Sequence, residues 1–122
     1  GGAVEPTAVA VMRARFSAYV KKLPEYIVRS THPDCPLEAE FRQDDGTFGP
    51  GFLAEATRFC EGYEFTRLSI LQTAERPLED EATVFFKVWY RIASQKGEQQ
   101  TMTEKSLFRR VGDRWLYFDR LS

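Results

Sequence analysis

The chain has 122 residues, 43% of them hydrophobic and 14% aromatic, with 17 Lys plus Arg against 18 Asp plus Glu. That length gives room for one ordinary domain, spanning 1–122, that buries about two-thirds of its unfolded surface. The near-neutral charge excludes a polybasic nucleic-acid binder, the aromatic content excludes a disordered tail, and no apolar run approaches the roughly 18 to 20 residues of a membrane span.

The chain begins Gly1-Gly2 rather than with Met, so a targeting peptide would lie outside it, and residues 1–6 are expected to form a flexible N-terminus. From 7 to 22 the apolar residues Val9, Met12, Phe16, Tyr19, Val20 and Leu23 recur every three or four positions, the period of an amphipathic helix. Thr7 is placed as its N-cap, and Lys21-Lys22 suit the negative end of its dipole. Pro24 breaks this helix and opens a short second one through Val28, which ends before His32-Pro33. Residues 34–50 carry Asp44-Asp45-Gly46 and Gly49-Pro50-Gly51, hold no period, and read as an ordered loop.

A third helix follows, with Phe52, Leu53, Ala56, Phe59 and Cys60 on one face and Gly62 placed to end it at positive φ. Beyond it the period changes to two. Segments 65–75 and 83–94 are rich in β-branched and aromatic residues and flank the acidic connection 77–81. Segments 101–111 and 114–121 are joined by Gly112-Asp113, a compact hairpin signal. Helices first and four meandering strands after argue for an α+β fold with the helices packed on one face of a bent antiparallel sheet.

Cys35 and Cys60 are too few for a disulfide scaffold; a reducing compartment is the simpler reading, and one bridge between them stays open. His32 lies three positions from Cys35, but a closed zinc site needs four ligands and no second pair follows, so no metal is expected. No Walker loop, dinucleotide fingerprint or nucleophile elbow is present, and no cofactor is expected.

Three segments together resemble the middle NTF2-like domain of the YchJ family, bacterial and plant proteins that usually also carry a cysteine-rich SEC-C zinc motif. The first is Met12-Arg13-Ala14-Arg15-Phe16-Ser17-Ala18-Tyr19, close to the family's Met-Arg-Ser-Arg-Tyr-Ser-Ala-Tyr. The second is His32-Pro33. The third is Glu104, Ser106, Phe108, Arg114, Trp115, Tyr117 and Asp119 in the closing hairpin. The resemblance implies an NTF2-like (cystatin-like) cone of three N-terminal helices on a bent four-stranded antiparallel sheet. The compartment is not readable from the sequence; with no long apolar run, a soluble intracellular protein is expected, cytoplasmic or, in a plant or alga, plastid. Thr103 stands where the family tends to have histidine, and the SEC-C cysteines are absent from the sequence, so neither His-based chemistry nor a zinc role carries over.

In such a cone the hollow is often a ligand pocket, and Tyr19, Tyr90, Glu104, Trp115, Tyr117 and Asp119 are the candidates to line it; the favoured reading is that Tyr19, Tyr90, Trp115 and Tyr117 fill the cone, because a small domain has little spare core. Strand alternation puts Trp115, Tyr117 and Asp119 on one side together. Glu104 and Asp119 read either as a carboxylate pair with acid and base roles or as ion-pair partners of Arg13 and Arg15. The ion-pair reading is favoured, because an unpaired charge in that interior is expensive, and it predicts that Glu104→Gln costs about 2 to 4 kcal/mol. His32 reads as a helix-terminal residue and Cys60 as a small hydrophobe.

The opposite face of segment 83–94 carries Phe85, Lys87 and Trp89, so both faces of that strand hold large apolar groups. Two aromatics about 13 Å apart on one side predict contact with a protein partner or a second copy of the chain. The expected role is therefore a non-catalytic binding or scaffold domain. The alternative is a small-molecule binder, or an enzyme using Glu104 and Asp119 in the cone.

Overall fold

The computed structural model describes residues 5–95 and 97–122. Most of the expected flexible N-terminus, residues 1–4, lies outside the described residues. The first helix, α1 (Ala8–Val20), starts where the Thr7 backbone is extended and its hydroxyl accepts the Ala10 N–H at 3.0 Å. That bond satisfies one of the otherwise orphaned donors of the first turn. Helix α2 (Pro24–Arg29) opens on its proline as expected.

The buried stripe of α1 is Ala8, Val11, Met12, Arg15 and Ala18, not the stripe the apolar residues alone mark out. Val20 and Leu23 stand half in solvent, because α1 ends at Val20 and the chain reverses through Lys22 at φ 57°. Lys22 serves a different helix end from the one expected. Its ammonium donates to the Cys60 and Tyr63 carbonyls where the third helix runs out, against that helix's negative pole.

The segment expected as a loop contains a 3₁₀ turn over Pro36–Phe41, closed by a bridge between Arg42 and Phe48. Helix α3 (Pro50–Gly62) buries Phe52, Ala56 and Cys60, a row at every fourth residue, and leaves Leu53 and Phe59 partly exposed. Gly62 does not take positive φ, contrary to expectation. The chain passes straight into a strand at Tyr63, whose φ is −131°, so no left-handed residue is needed.

Strands β1 (Tyr63–Arg76), β2 (Glu81–Ile92), β3 (Gln100–Val111) and β4 (Arg114–Arg120) form one antiparallel sheet in sequence order. The β3–β4 turn uses Gly112 at φ 64°. Strand β1 bulges at Thr66 and Leu71, and β4 bulges at Phe118, where Leu107 pairs Asp119 but Phe108 pairs Tyr117. Such bulges bend and twist a sheet, and here they curl it around α1.

The main core joins Val11 and Met12 of α1 to Val84, Phe86 and Val88 of β2, with Phe108 and Trp115 behind them. A smaller cluster, Ala18, Ile27 and Ala56, ties the three helices together. Residues 30–32 run beside the outer edge of β4: the Tyr117 N–H donates to the Ser30 carbonyl and the His32 N–H to the Tyr117 carbonyl, at 2.9 and 2.8 Å. An edge that would otherwise offer unpaired backbone groups is thereby covered. Among the described residues no helix is long and apolar enough to cross a membrane.

Candidate functional site: the hollow of the cone

The bent sheet and the helices do not close completely. Between them lie two adjoining lobes of about 180 and 170 Å³, which share Arg15, Tyr19, Glu38, Phe59 and Tyr117. The larger lobe has apolar walls from Met12, Phe16, Phe65, Phe86 and Met102, and a polar floor of Glu104, Ser106 and Tyr117.

Arg15 is the least expected member of this site. Only 6% exposed, it projects from the buried stripe of α1, and three acceptors converge on its Nη1: the Ile27 carbonyl, Ser30 Oγ and Thr31 Oγ1, at 3.2, 2.8 and 3.0 Å. Local chemistry aims those oxygens. The hydroxyls of Ser30 and Thr31 donate back to the carbonyls of Tyr26 and Ile27, a pattern common at helix ends, which leaves their lone pairs for the guanidinium. The guanidinium carbon also lies 4.6 Å from the centre of the Tyr117 ring. Among the described residues no carboxylate pairs with Arg15, and its Nε and Nη2 have no protein acceptor.

Glu104 is buried on β3. Its Oε2 accepts from the Ser106 hydroxyl at 2.5 Å and from the Tyr117 hydroxyl at 3.0 Å, while Arg120 lies 3.7 Å from Oε1. Burial, reinforced by the Glu104 charge, holds the Tyr117 phenol far above its ordinary range, so it stays a donor at any physiological pH. Burial likewise raises the Tyr19 phenol. Glu38, at the junction of the lobes, has its carboxyl raised by burial and by the neighbouring charges of Glu40 and Glu55.

These positions correct the expected ion pairs. Glu104 pairs with Arg120 rather than with an arginine of α1, and Arg13 is exposed, with no ion pair among the described residues. Asp119 is not in the hollow. The bulge at Phe118 inserts one extra residue, so Asp119 falls opposite Leu107, off the row of Glu104, Ser106 and Phe108, and Arg120 falls opposite Ser106. Strict alternation over β4 fails by that one residue, and the carboxylate pair is thereby separated.

Of the other candidates, Tyr19, Glu104 and Tyr117 line the hollow, while Trp115 belongs to the packed core. Tyr90 packs against Tyr63 and Phe65, with its hydroxyl near Gln100 at 3.4 Å. Sequence reasoning missed Ser30, Thr31, Glu38 and Arg120. The Ser30-Thr31 pair closing α2 is a visible signal for hydroxyls beside a helix end; nothing in the sequence marks Glu38.

Away from the hollow, His32 does not serve the carbonyls of α2. Its Nδ1 accepts the Asp34 N–H at 2.9 Å, its ring stands edge-on to Phe118, and burial lowers its pKa. Cys35 and Cys60 are buried and free, and burial raises both thiols. On the outer face Phe85, Lys87 and Trp89 are partly exposed. Arg67 and Lys87 lie over the Trp89 ring at 4.6 and 5.0 Å, and Phe85 lines a shallow groove of about 290 Å³ with Lys105 and Ser122.

Three helices over a bent four-stranded antiparallel sheet, with a hollow between the layers, define an NTF2-like domain. Within that class, the family model for the middle NTF2-like domain of YchJ matches residues 7–120, and the chain belongs to that family. A UPF0225 protein of Xanthomonas oryzae is 36% identical over 121 residues, covering 97% of this chain and 78% of the relative. A UPF0225 protein of Pectobacterium carotovorum is 30% identical over 117 residues; the match covers 96% of this chain but 66% of that relative's length. Among solved structures, a SEC-C motif-containing protein from Rhodopseudomonas palustris superposes with a TM-score of 0.76 at 24% identity, over 98% of this chain and 81% of that one.

Proposed function

We propose that this domain is a small-molecule binding module whose site is the hollow of the cone. One observation carries the reading: the buried Arg15 lines an apolar-walled hollow with its Nη1 held by three neutral oxygens, and among the described residues its Nε and Nη2 bond to no protein group. A ligand that brings an acceptor to those nitrogens gains a charge-assisted hydrogen bond. Aromatic walls with a few convergent polar groups are the usual make-up of a ligand pocket. This reading departs from the scaffold role expected from the sequence, which supposed a filled cone and α1 arginines neutralised by Glu104 and Asp119.

Binding rather than turnover is the favoured role. Asp119 lies off the Glu104 face, so the two-carboxylate arrangement that acid–base catalysis would use is not assembled in the hollow. The test is a fragment screen by ¹H–¹⁵N correlation spectroscopy. Shifts confined to residues around the hollow, such as Tyr19, Phe86 and Tyr117, support the proposal; a screen in which no fragment moves them overturns it.

A further inference from the structure

The chemistry of the hollow narrows its occupant, an inference that rests on the binding role above. We propose that the larger lobe takes a single-ring aromatic carboxylic acid that carries a hydroxyl at the end opposite its carboxylate.

The volume of the larger lobe matches a ligand of one ring. A dry cavity of about 150 Å³ holds one benzene molecule, and this lobe is only slightly larger, at about 180 Å³. Its walls are Phe16, Phe65, Phe86, Met12 and Met102, groups that meet an aromatic ring by edge, face or sulfur contact.

The charge at one end follows from how Arg15 is held. Every hydrogen bond from this guanidinium to a described residue leaves from Nη1, where Ser30, Thr31 and the Ile27 carbonyl fix its plane. The edge formed by Nε and Nη2 is left over. Two parallel N–H donors on one edge fit the two oxygens of a carboxylate, and a neutral carbonyl uses only half of that fork. The guanidinium is already buried and oriented, and among the described residues no carboxylate lies within ion-pair distance of it; Glu38, which lines both lobes with it, feels its charge without bonding to it, so a ligand's carboxylate would be its first direct anionic partner.

The donor at the other end follows from Glu104. Its Oε2 is taken by Ser106 and Tyr117, whereas its Oε1 has only the Arg120 contact at 3.7 Å, too long for a good hydrogen bond. A carboxylate oxygen in that state accepts a donor and repels a second anion. Tyr117 separates the two ends, with its ring under Arg15 and its hydroxyl on Glu104. The site is therefore polarised, cation at one end and anion at the other, and it orients a ligand with acid at one end and donor at the other.

The experiment is a titration of the full chain with four probes followed by ¹H–¹⁵N correlation spectroscopy: 4-hydroxybenzoate, benzoate, 4-hydroxybenzamide and p-cresol. We expect 4-hydroxybenzoate to bind tightest, with a loss of roughly tenfold or more on removing either the charge or the hydroxyl, as for other charge-assisted hydrogen bonds. Arg15→Gln should erase the preference for the acid over the amide, and Glu104→Gln should erase the preference for the hydroxyl. If either variant fails to fold, the wild-type series alone decides. Equal or tighter binding of p-cresol or the amide overturns the ligand class and leaves the binding role standing. If none of the four shifts the hollow, and pressurised xenon does not enter it either, the binding role fails and this inference with it.

Discussion

The hydroxyl of Tyr117 donates to Oε2 of Glu104 at 3.0 Å, joining the middle of β4 to the middle of β3 inside the hollow. Tyr117→Phe removes that donor and leaves a buried carboxylate oxygen with one partner fewer. We expect a loss of about 1 to 2 kcal/mol in urea denaturation. The phenol also gives an alkaline signature. Its folded pKa lies above the unfolded value of about 10, so its contribution to stability is complete below pH 10 and is lost as pH rises past it. In Tyr117→Phe that alkaline loss should be smaller than in the wild type.

Glu104→Gln should cost about 1 kcal/mol, below the range that an α1 ion pair predicts. The Arg120 side chain is 46% exposed, and such pairs contribute little, while the glutamine carbonyl still accepts from Ser106 and Tyr117. Glu104→Ala, which strands both hydroxyls, should cost about twice as much. Equal losses in the two variants, measured by chemical denaturation, would contradict this account.

His32 is the single histidine of the chain, which makes its titration separable. Its folded pKa lies below the unfolded value, chiefly through burial, and the Asp34 N–H donates to its neutral Nδ1. Stability from His32 is thus full above the unfolded pKa of about 6.5 and falls as pH drops through it, because the unfolded chain takes up the proton first. Urea midpoints at pH 7.5 and 5.5 should differ more for the wild type than for His32→Asn.

Phe108 is fully buried between the helices and the sheet. Phe108→Ala should cost about 3 to 5 kcal/mol, in the range of large-to-small changes in a packed core. Calorimetry that shows a melting temperature within a degree or two of wild type would mean that the core collapses around the gap.

For the outer face we propose a contact with a second copy of the chain through Phe85 and Trp89. Sedimentation at micromolar concentration should show a dimer that Phe85→Glu/Trp89→Glu dissolves. Arg67 and Lys87, which cover Trp89, would meet their counterparts across a two-fold axis, so the dimer should tighten as salt screens them. A monomeric wild type removes the proposal.

Much of the architecture is written locally. Thr7 caps α1, Pro24 opens α2, and Gly112 turns the last hairpin, because each acts through its own neighbours in the chain. The site was harder to read. Glu104, Ser106 and Tyr117 follow from alternation, but Asp119 and Arg120 exchange faces at a bulge that no residue type in 114–121 announces. Arg15 reads from the sequence as a charge near the sheet, but its partners are not the carboxylates that reading assigns to it. Its neutral acceptors sit on α2 and just after it, and only the path of the chain through Lys22 and Pro24 brings them under α1.

The strip of residues 30–32 along β4 ties the timing of the hollow to the last strand of this domain. Ser30 and Thr31 hold Arg15, and the same strip is fastened to the backbone of Tyr117 in that strand. A nascent chain that has not yet delivered β4 has neither the floor of the hollow nor the strip's anchor, so it cannot recognise a ligand. A ligand of the hollow would therefore bind only the finished domain, and by mass action would protect it against unfolding and proteolysis while doing nothing for one still lacking β4.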